Sequence, residues 1–337
     1  PILITYNTNV KFEKPSNHTH KIWQDYLDLF LPDKELQKVT QIALGQCIVG
    51  GNPEKLMIVL KGDPNTGKST MVNAIEAALG DYAQSVNQSV FQTHKLNPVL
   101  ASAISKRVIV CSEFDETIQV SAAQVKRLTG GTDRIQAEIK NSNVTVDGVP
   151  QFVPVLATNQ VPNITGGDKA LENRLYPIPF DVTPDYIDKR AANAVSKCSS
   201  AVLWWLVEGF MEYKKTGFLP RPKVIADATA SFMSEMDDIA SFLHECVAKV
   251  DQQGTSGYIK NADMYTRFER WWIENNFQQR DKPSQPKFTR RMKSFGYQTK
   301  QARIGTDNSR FWLGVAFKKT ASPVVSLVNF KVQEKRK

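Results

Sequence analysis

LMIVLKGDPNTGKST, residues 56–70, decides how this chain folds. LMIVLKG is a short apolar run that ends in glycine, the pattern of a buried parallel strand. Helical spacing begins at about Lys68 and runs to Leu79. Between them, GDPNTGKST has the spacing Gly, four residues, Gly-Lys-Ser, with the strand before it and the helix after it that a phosphate-binding loop requires. Each residue type has a physical reason. Gly62 and Gly67 permit backbone angles and close approach that a Cβ would block, so successive N–H groups can surround phosphate oxygens. Lys68 places a point charge on the β- and γ-phosphates, Ser69 offers a hydroxyl to Mg²⁺, and Asn65, Thr66 and Thr70 complete the loop. The positive end of the helix adds to the same field. The competing reading is a chance glycine-rich turn, which would not need both flanks.

Working outward, RVIVCSE (107–113) and QFVPVLATN (151–159) are further apolar runs with polar residues at their carboxyl ends. Nucleoside triphosphate hydrolysis needs an acid at the end of a neighbouring strand to hold the metal's water shell and polarise the attacking water. Glu113 is the first choice for that role. Asp115 points the same way if the strand continues, and is the second; a solvated acidic turn is the alternative. Asn159 closes the third run, where a carboxamide can orient water between the γ-phosphate and Glu113; asparagine there is also a common turn former. Glu172-Asn173-Arg174-Leu175 follows, then YPIPF. Arg174 is a candidate arginine finger for a neighbouring subunit, against the plainer reading of a structural salt bridge.

The rest of the chain divides by charge. Of its 337 residues, 41% are hydrophobic and 23% charged, enough for a full core and two or three domains. Residues 240–337 hold 19 Lys/Arg against 8 Asp/Glu, whereas residues 1–239 hold 24 against 26. A basic C-terminal part points to a polyanionic partner, with a solvated basic surface as the alternative. The order there is helix (237–249), helix (262–275), helix (286–295) and two strand-like runs, as in a winged helix. Phe288, Met292 and Phe295 share one helical stripe and should face the core, leaving Arg290, Arg291 and Lys293 for a nucleic-acid backbone. Trp271 and Trp272 read as packing residues. Residues 20–49 read as a helical collar broken at Pro32-Asp33. The four cysteines lack metal-ligand or disulfide spacing. No apolar run of membrane length and no leader pattern occur, so a cytoplasmic protein without membrane partners is expected. The unpatterned start at Pro1 suggests a piece of a longer polypeptide.

The ordered set LKGDPNTGKST, RVIVCSEFDE, KRLTGGTDRI, FVPVLATNQVP and NRLYPIPF resembles the motifs of superfamily 3 helicases of the AAA+ class, in particular the poxvirus-type primase-helicases of phages and plasmids. The resemblance covers about residues 20–235. It implies an α/β fold with a phosphate-loop core on a parallel sheet, a helical N-terminal collar and a C-terminal winged-helix domain. The implied domains are 1–50 for the N-terminal segment and collar, 51–236 for the ATPase, 237–320 for the basic winged-helix-like domain and 321–337 for a basic tail. It further implies ATP and Mg²⁺ as cofactors, with Lys68 and Ser69 at the nucleotide and metal, Glu113 as the acid, Asn159 as sensor and Arg174 as finger between subunits. Members often carry two acids where this chain has Ser112-Glu113, and two arginines where it has Asn173-Arg174. Also implied are a homo-oligomeric ring, a hexamer, that moves 3′-5′ on single-stranded DNA and opens forked DNA, and an upstream primase or polymerase domain. In EIKNSNVTVDGV (138–149), strand-like flanks surround a polar tip, so Lys140 is a candidate pore contact with DNA, or else a solvated charge.

Two other classes remain compatible with the loop. A small-molecule kinase would need neither Arg174 in trans nor a basic tail. A replication initiator or loader would use ATP as an assembly switch without unwinding.

Overall fold

The computed structural model describes residues 5–92, 97–112, 119–138, 145–165, 169–186, 189–236, 238–250, 257–275, 277, 279, 282–304 and 307–318. The chain divides into two compact units, Pro1–Asp237 and Asp238–Lys337.

The first unit is built on β1 (Met57–Lys61), β2 (Ala83–Ser85), β3 (Val108–Cys111), β4 (Val153–Thr158) and β5 (Leu175–Pro179). They form one sheet in the order β2-β3-β4-β1-β5, and every pair is parallel. This is the α/β core with a parallel sheet that the motifs implied. All six residues of β4 and the first four of β1 are buried, because helices cover both faces and leave no side for polar residues. The alternation of side chains is still visible in where they go. Ile58, Leu60, Val108 and Val110 join the core on one face. Met57, Val59, Ile109 and Cys111 join the core on the other.

The N-terminal segment enters the first of these cores. Helix α1 (Asn17–Phe30) is capped by Ser16, whose side chain accepts from the Thr19 N–H. Helix α2 (Lys34–Gly45) is capped by Asp33, which accepts from Glu35 and Leu36. Pro32 and Asp33 therefore separate two helices, as the sequence pattern predicts. Trp23, Leu27, Val39 and Ile42 bury with β1 and with α3 (Lys68–Leu79). Two helices follow β5, Lys189–Ser196 and Ser199–Thr216. Helix Lys223–Glu235 closes the unit.

In the second unit, helices Asp238–Cys246, Asn261–Glu274 and Gln285–Ser294 pack around Phe242, Phe268, Trp271, Trp272, Phe288, Met292 and Trp312. Phe268 and Phe288 approach to 4.6 Å between ring centroids. Strands Thr299–Ile304 and Asp307–Leu313 pair antiparallel. Two elements differ from the sequence expectation. The first helix stops at Cys246, and Val247–Lys249 is a strand paired with Val315–Phe317. Tyr258–Lys260 is a further strand, paired with the hairpin ahead of the second helix. Strands of three residues are too short to show a period, and only their cross-strand partners identify them.

Candidate active site

The geometry of the loop at residues 62–70 follows from two close approaches. A Cβ on Gly62 would lie 2.0 Å from the Phe180 carbonyl oxygen, just past β5. The Gly62 N–H donates to the Thr158 carbonyl at 3.3 Å, so the loop begins pinned between β4 and β5. Gly67 has φ +90° and no side-chain cap on α3, and a Cβ there would meet the Phe30 ring at 2.7 Å. Asn65 also lies in the left-handed region at φ 69°, where asparagine is among the few tolerated side chains. The first N–H groups of α3 have no intrahelical acceptor and no side chain caps them, an arrangement suited to an anion.

Lys68 is 6% exposed. Its ammonium donates to the carbonyls of Gly62 and Asp63, each at 2.7 Å, and to the Thr66 hydroxyl at 3.1 Å. Burial pulls its pKa below the usual lysine value, and the nearby Asp63 carboxylate opposes that shift. A buried cation held only by neutral oxygens gains from an anion beside it. Thr66 is buried and donates to the Asp63 carbonyl at 2.8 Å. Ser69 is exposed at the start of α3. This donor set, with an uncapped helix end and a lysine across the loop, fits the phosphates of a nucleotide.

A cleft of about 970 Å³ opens on the loop, and Asn65–Thr70, Gln88, Ser112, Thr158 and Asn159 line its polar side. Ser112 follows β3 and Asn159 follows β4, so both stand at the carboxyl edge of the sheet beside the loop, where open α/β sheets bind ligands. The opposite wall was not read from the sequence. Ile22, Tyr26, Leu29 and Phe30 of α1, with Tyr186 and Val195, make it apolar. The Tyr26 hydroxyl donates to the Gly67 carbonyl at 2.9 Å. The one available signal was the width of the apolar arc on α1: Trp23, Tyr26 and Leu27 are buried in the core, Ile22 and Phe30 pack against it only in part, and Leu29 is exposed.

Arg174 lies elsewhere. It precedes β5, and its carbonyl accepts from the Met57 N–H at 2.8 Å, at the amino end of β1. Met57 pairs with Leu175 and Lys61 with Pro179, so Arg174 is about five strand residues, roughly 16 Å, from the phosphate-loop edge. Arg174 is half-buried; its guanidinium donates to the Ala170 carbonyl at 2.8 Å, and its Nε is buried without a hydrogen-bond partner. Asn159 and the loop residues thus meet in one cleft, and Arg174 is outside it.

Glu113, Asp115 and Lys140 lie outside the described residues. The flanks of the Lys140 segment, Ile135–Glu138 and Thr145–Gly148, pair antiparallel. In the second unit Arg290, Arg291 and Lys293 are exposed on the third helix, while Phe288 and Met292 of the same helix are fully buried. Arg291 also stacks over the Phe295 ring at 4.7 Å. Among the described residues no group of three or more His, Cys, Asp or Glu side chains is placed to hold a metal. None of the described helices is long and apolar enough to cross a membrane.

Fold and cleft together define an α/β protein with a parallel sheet and a cleft at the carboxyl edge of that sheet, beside the loop of Gly62 and Lys68. A family of unknown function (DUF5906) matches residues 60–174, from the end of β1 to Arg174. A protein named "Putative helicase" in Acanthamoeba polyphaga mimivirus is 25% identical over 298 residues, 81% of this chain and 30% of that protein. Another of that name in Frog virus 3 is 25% identical over 270 residues, 73% of this chain and 27% of the relative. The chain therefore spans less than a third of the length of these curated relatives. The apo A form of the NrS-1 C-terminal region superposes with a TM-score of 0.50 at 11% identity, covering 91% of this chain and 77% of that one, which speaks to the fold. The resemblance to superfamily 3 helicases drawn from the motifs agrees with these helicase-named relatives in large DNA viruses.

Proposed function

We propose that this chain is the ATP-hydrolysing helicase part of a larger DNA replication protein. The observation that carries the reading is the Lys68 ammonium inside an uncapped, left-handed loop that opens into a cleft at the carboxyl edge of the sheet. In this reading the phosphates of ATP lie on the loop N–H groups and Lys68. Ser69 and the phosphates hold Mg²⁺, as suits an ion that keeps its waters and takes few protein ligands. Glu113, with Asp115 as second choice, polarises the attacking water, and Asn159 orients it. The apolar wall of α1 receives the base, where Phe30 and Tyr186 offer ring faces.

Arg174 supports an assembly of several copies. A guanidinium at the far edge of the sheet cannot serve its own cleft, but it can serve a neighbour's in a ring. We assign it as the finger acting between subunits of a hexamer that moves 3′-5′ on single-stranded DNA, with Lys140 on a hairpin facing the pore. The domains are then 1–50, 51–236, 237–320 and 321–337, joined to an upstream primase or polymerase domain in the cytoplasm of a host cell. We read the second unit, with its three helices followed by a hairpin, as a winged helix, and assign its exposed Arg290, Arg291 and Lys293 to the DNA backbone. Charge reversal at Arg290 and Arg291 should then lower the salt dependence of DNA binding by about one unit of slope per residue. An unchanged slope would return them to a solvated surface.

The deciding experiment measures ATP turnover with and without single-stranded DNA, alongside mass in solution and strand displacement on a fork. Stimulation by DNA with displacement supports the helicase. Turnover and assembly without displacement point to an initiator or loader, and turnover by a monomer points to a kinase.

A further inference from the structure

The segment that carries Arg174 is held by a second arginine. Arg221 donates from Nη1 to the Leu175 carbonyl and from Nη2 to the Asn173 carbonyl, both at 2.8 Å. One planar guanidinium therefore grips the two carbonyls that flank Arg174. It also lies over the Tyr176 ring, 5.2 Å from the centroid, and the Tyr176 hydroxyl donates to the Pro220 carbonyl at 2.7 Å. Burial is the main influence on Arg221 and lowers its pKa, offset by Tyr176, Glu54 and Glu172. Proline on both sides, Pro220 and Pro222, fixes φ and restricts the backbone of Arg221 itself.

We infer that Arg221 is a positioning residue for Arg174: its fork sets the direction in which the Arg174 side chain leaves the amino edge of the sheet. This rests on the reading of Arg174 as a finger for a neighbouring subunit. The physical argument is one of aim. Transition-state charge stabilisation depends on preorganised geometry, and Arg174 holds few fixed contacts of its own, with one bond to Ala170 and a buried Nε that has no partner. The fork holds the Asn173 carbonyl, in the peptide plane on the amino side of the Arg174 Cα, and the Arg174 carbonyl, in the plane on its carboxyl side, accepts from the Met57 N–H, so fork and strand pairing together fix the Cα–Cβ direction. Lysine cannot replace it, since an ammonium is a point donor without the planar fork.

The test uses the full chain with three readouts: binding of a fluorescent ATP analogue, ATP turnover with single-stranded DNA, and recovery on mixing with Lys68→Ala subunits. Arg221→Met should bind nucleotide as the parent does and lose about 100-fold in turnover, the scale of a misplacement of about an ångström. Mixing with Lys68→Ala subunits, which keep both arginines, should restore part of the activity. Arg221→Lys, which keeps the charge and one bond, should fall between the two and also recover. The double variant Arg174→Ala/Arg221→Met should be no slower than Arg174→Ala alone, because the two act as one unit. If Arg174→Ala is inactive while both Arg221 variants turn over within twofold of the parent, the positioning role is wrong and the finger reading stands. Loss of nucleotide binding, or a loss that mixing does not recover in both Arg221 variants, assigns Arg221 to fold stability instead. Full turnover by Arg174→Ala removes the finger and the inference with it.

Discussion

The two ends of the parallel sheet are built differently. At the carboxyl edge, the chemistry is local: Gly62 to Thr70 place a loop, a lysine and a helix end within nine residues, and Ser112 and Asn159 need only end their own strands. At the amino edge it is non-local. Arg174 is oriented by Arg221, 47 positions away, through bonds to backbone carbonyls that leave no trace in residue type. A local arrangement is written in side-chain spacing, whereas one made by peptide groups is not.

The comparison is most easily broken at the loop. Lys68→Ala should abolish ATP hydrolysis, a loss of 10³-fold or more on the scale of preorganised charge contacts in phosphoryl transfer. Lys68 crosses the loop to three oxygens, so the variant should also bind nucleotide more weakly. Turnover assays and analogue titration check both. Wild-type turnover would remove the carboxyl edge as the site.

Arg174→Ala tests the other edge. A missing finger costs about 10³-fold or more in turnover, while nucleotide binding in the same subunit should be unchanged, because the cleft lies across the sheet. Mixing Arg174→Ala with Lys68→Ala subunits should recover part of the activity, each lending what the other lacks. A flat mixing curve with confirmed subunit exchange would return Arg174 to a structural role and leave the chain with one functional edge.

How much of this was legible follows the same division. Strands β1, β3 and β4, the loop and helix α3 were read from apolar runs ended by Gly62, Ser112 and Asn159, because burial on both sheet faces leaves continuous hydrophobic runs, whereas the three-residue β2 was not read. The stripe of Phe288 and Met292 was legible for the same reason, and both are fully buried. The three-residue strands Val247–Lys249 and Tyr258–Lys260 were not, since sheet partners far along the chain decide them. Helix α1 was legible as a helix but not as a cleft wall. Its apolar arc serves two surfaces at once, and only the position of Gly67 against Phe30 separates them.

That wall gives a smaller effect. Phe30→Ala should weaken nucleotide binding about tenfold, from lost ring contact worth on the order of 1 kcal/mol together with loosening of the loop at Gly67. Turnover at saturating ATP should change much less, since the ring does not meet the reacting atoms. A fall in turnover at saturation with unchanged affinity would mean that α1 acts on the chemistry and not on the base.

The smallest expected effect separates the wall from the loop. The Tyr26 hydroxyl bonds α1 directly to the loop, at 2.9 Å to the Gly67 carbonyl. Burial raises its pKa above the ordinary phenol value, so it stays a neutral donor at physiological pH. Tyr26→Phe keeps the ring, which stacks on Trp23 at 5.1 Å, and removes only the donor. A hydrogen bond of this kind contributes about 1 kcal/mol net, so the melting temperature should fall by roughly 2–4 °C. If the bond also holds the loop in its nucleotide-ready form, the dissociation constant for the ATP analogue should rise about fivefold, the same free energy read at the site. Recovery on mixing with Arg174→Ala subunits should be the same as for the parent, because the change lies at one edge only. If Tyr26→Phe lowers the melting temperature and leaves affinity untouched, α1 supports the fold and the loop keeps its shape without it. If it impairs the function that Arg174 supplies in a mixed assembly, the two edges are coupled through the sheet and cannot be treated as independent sites.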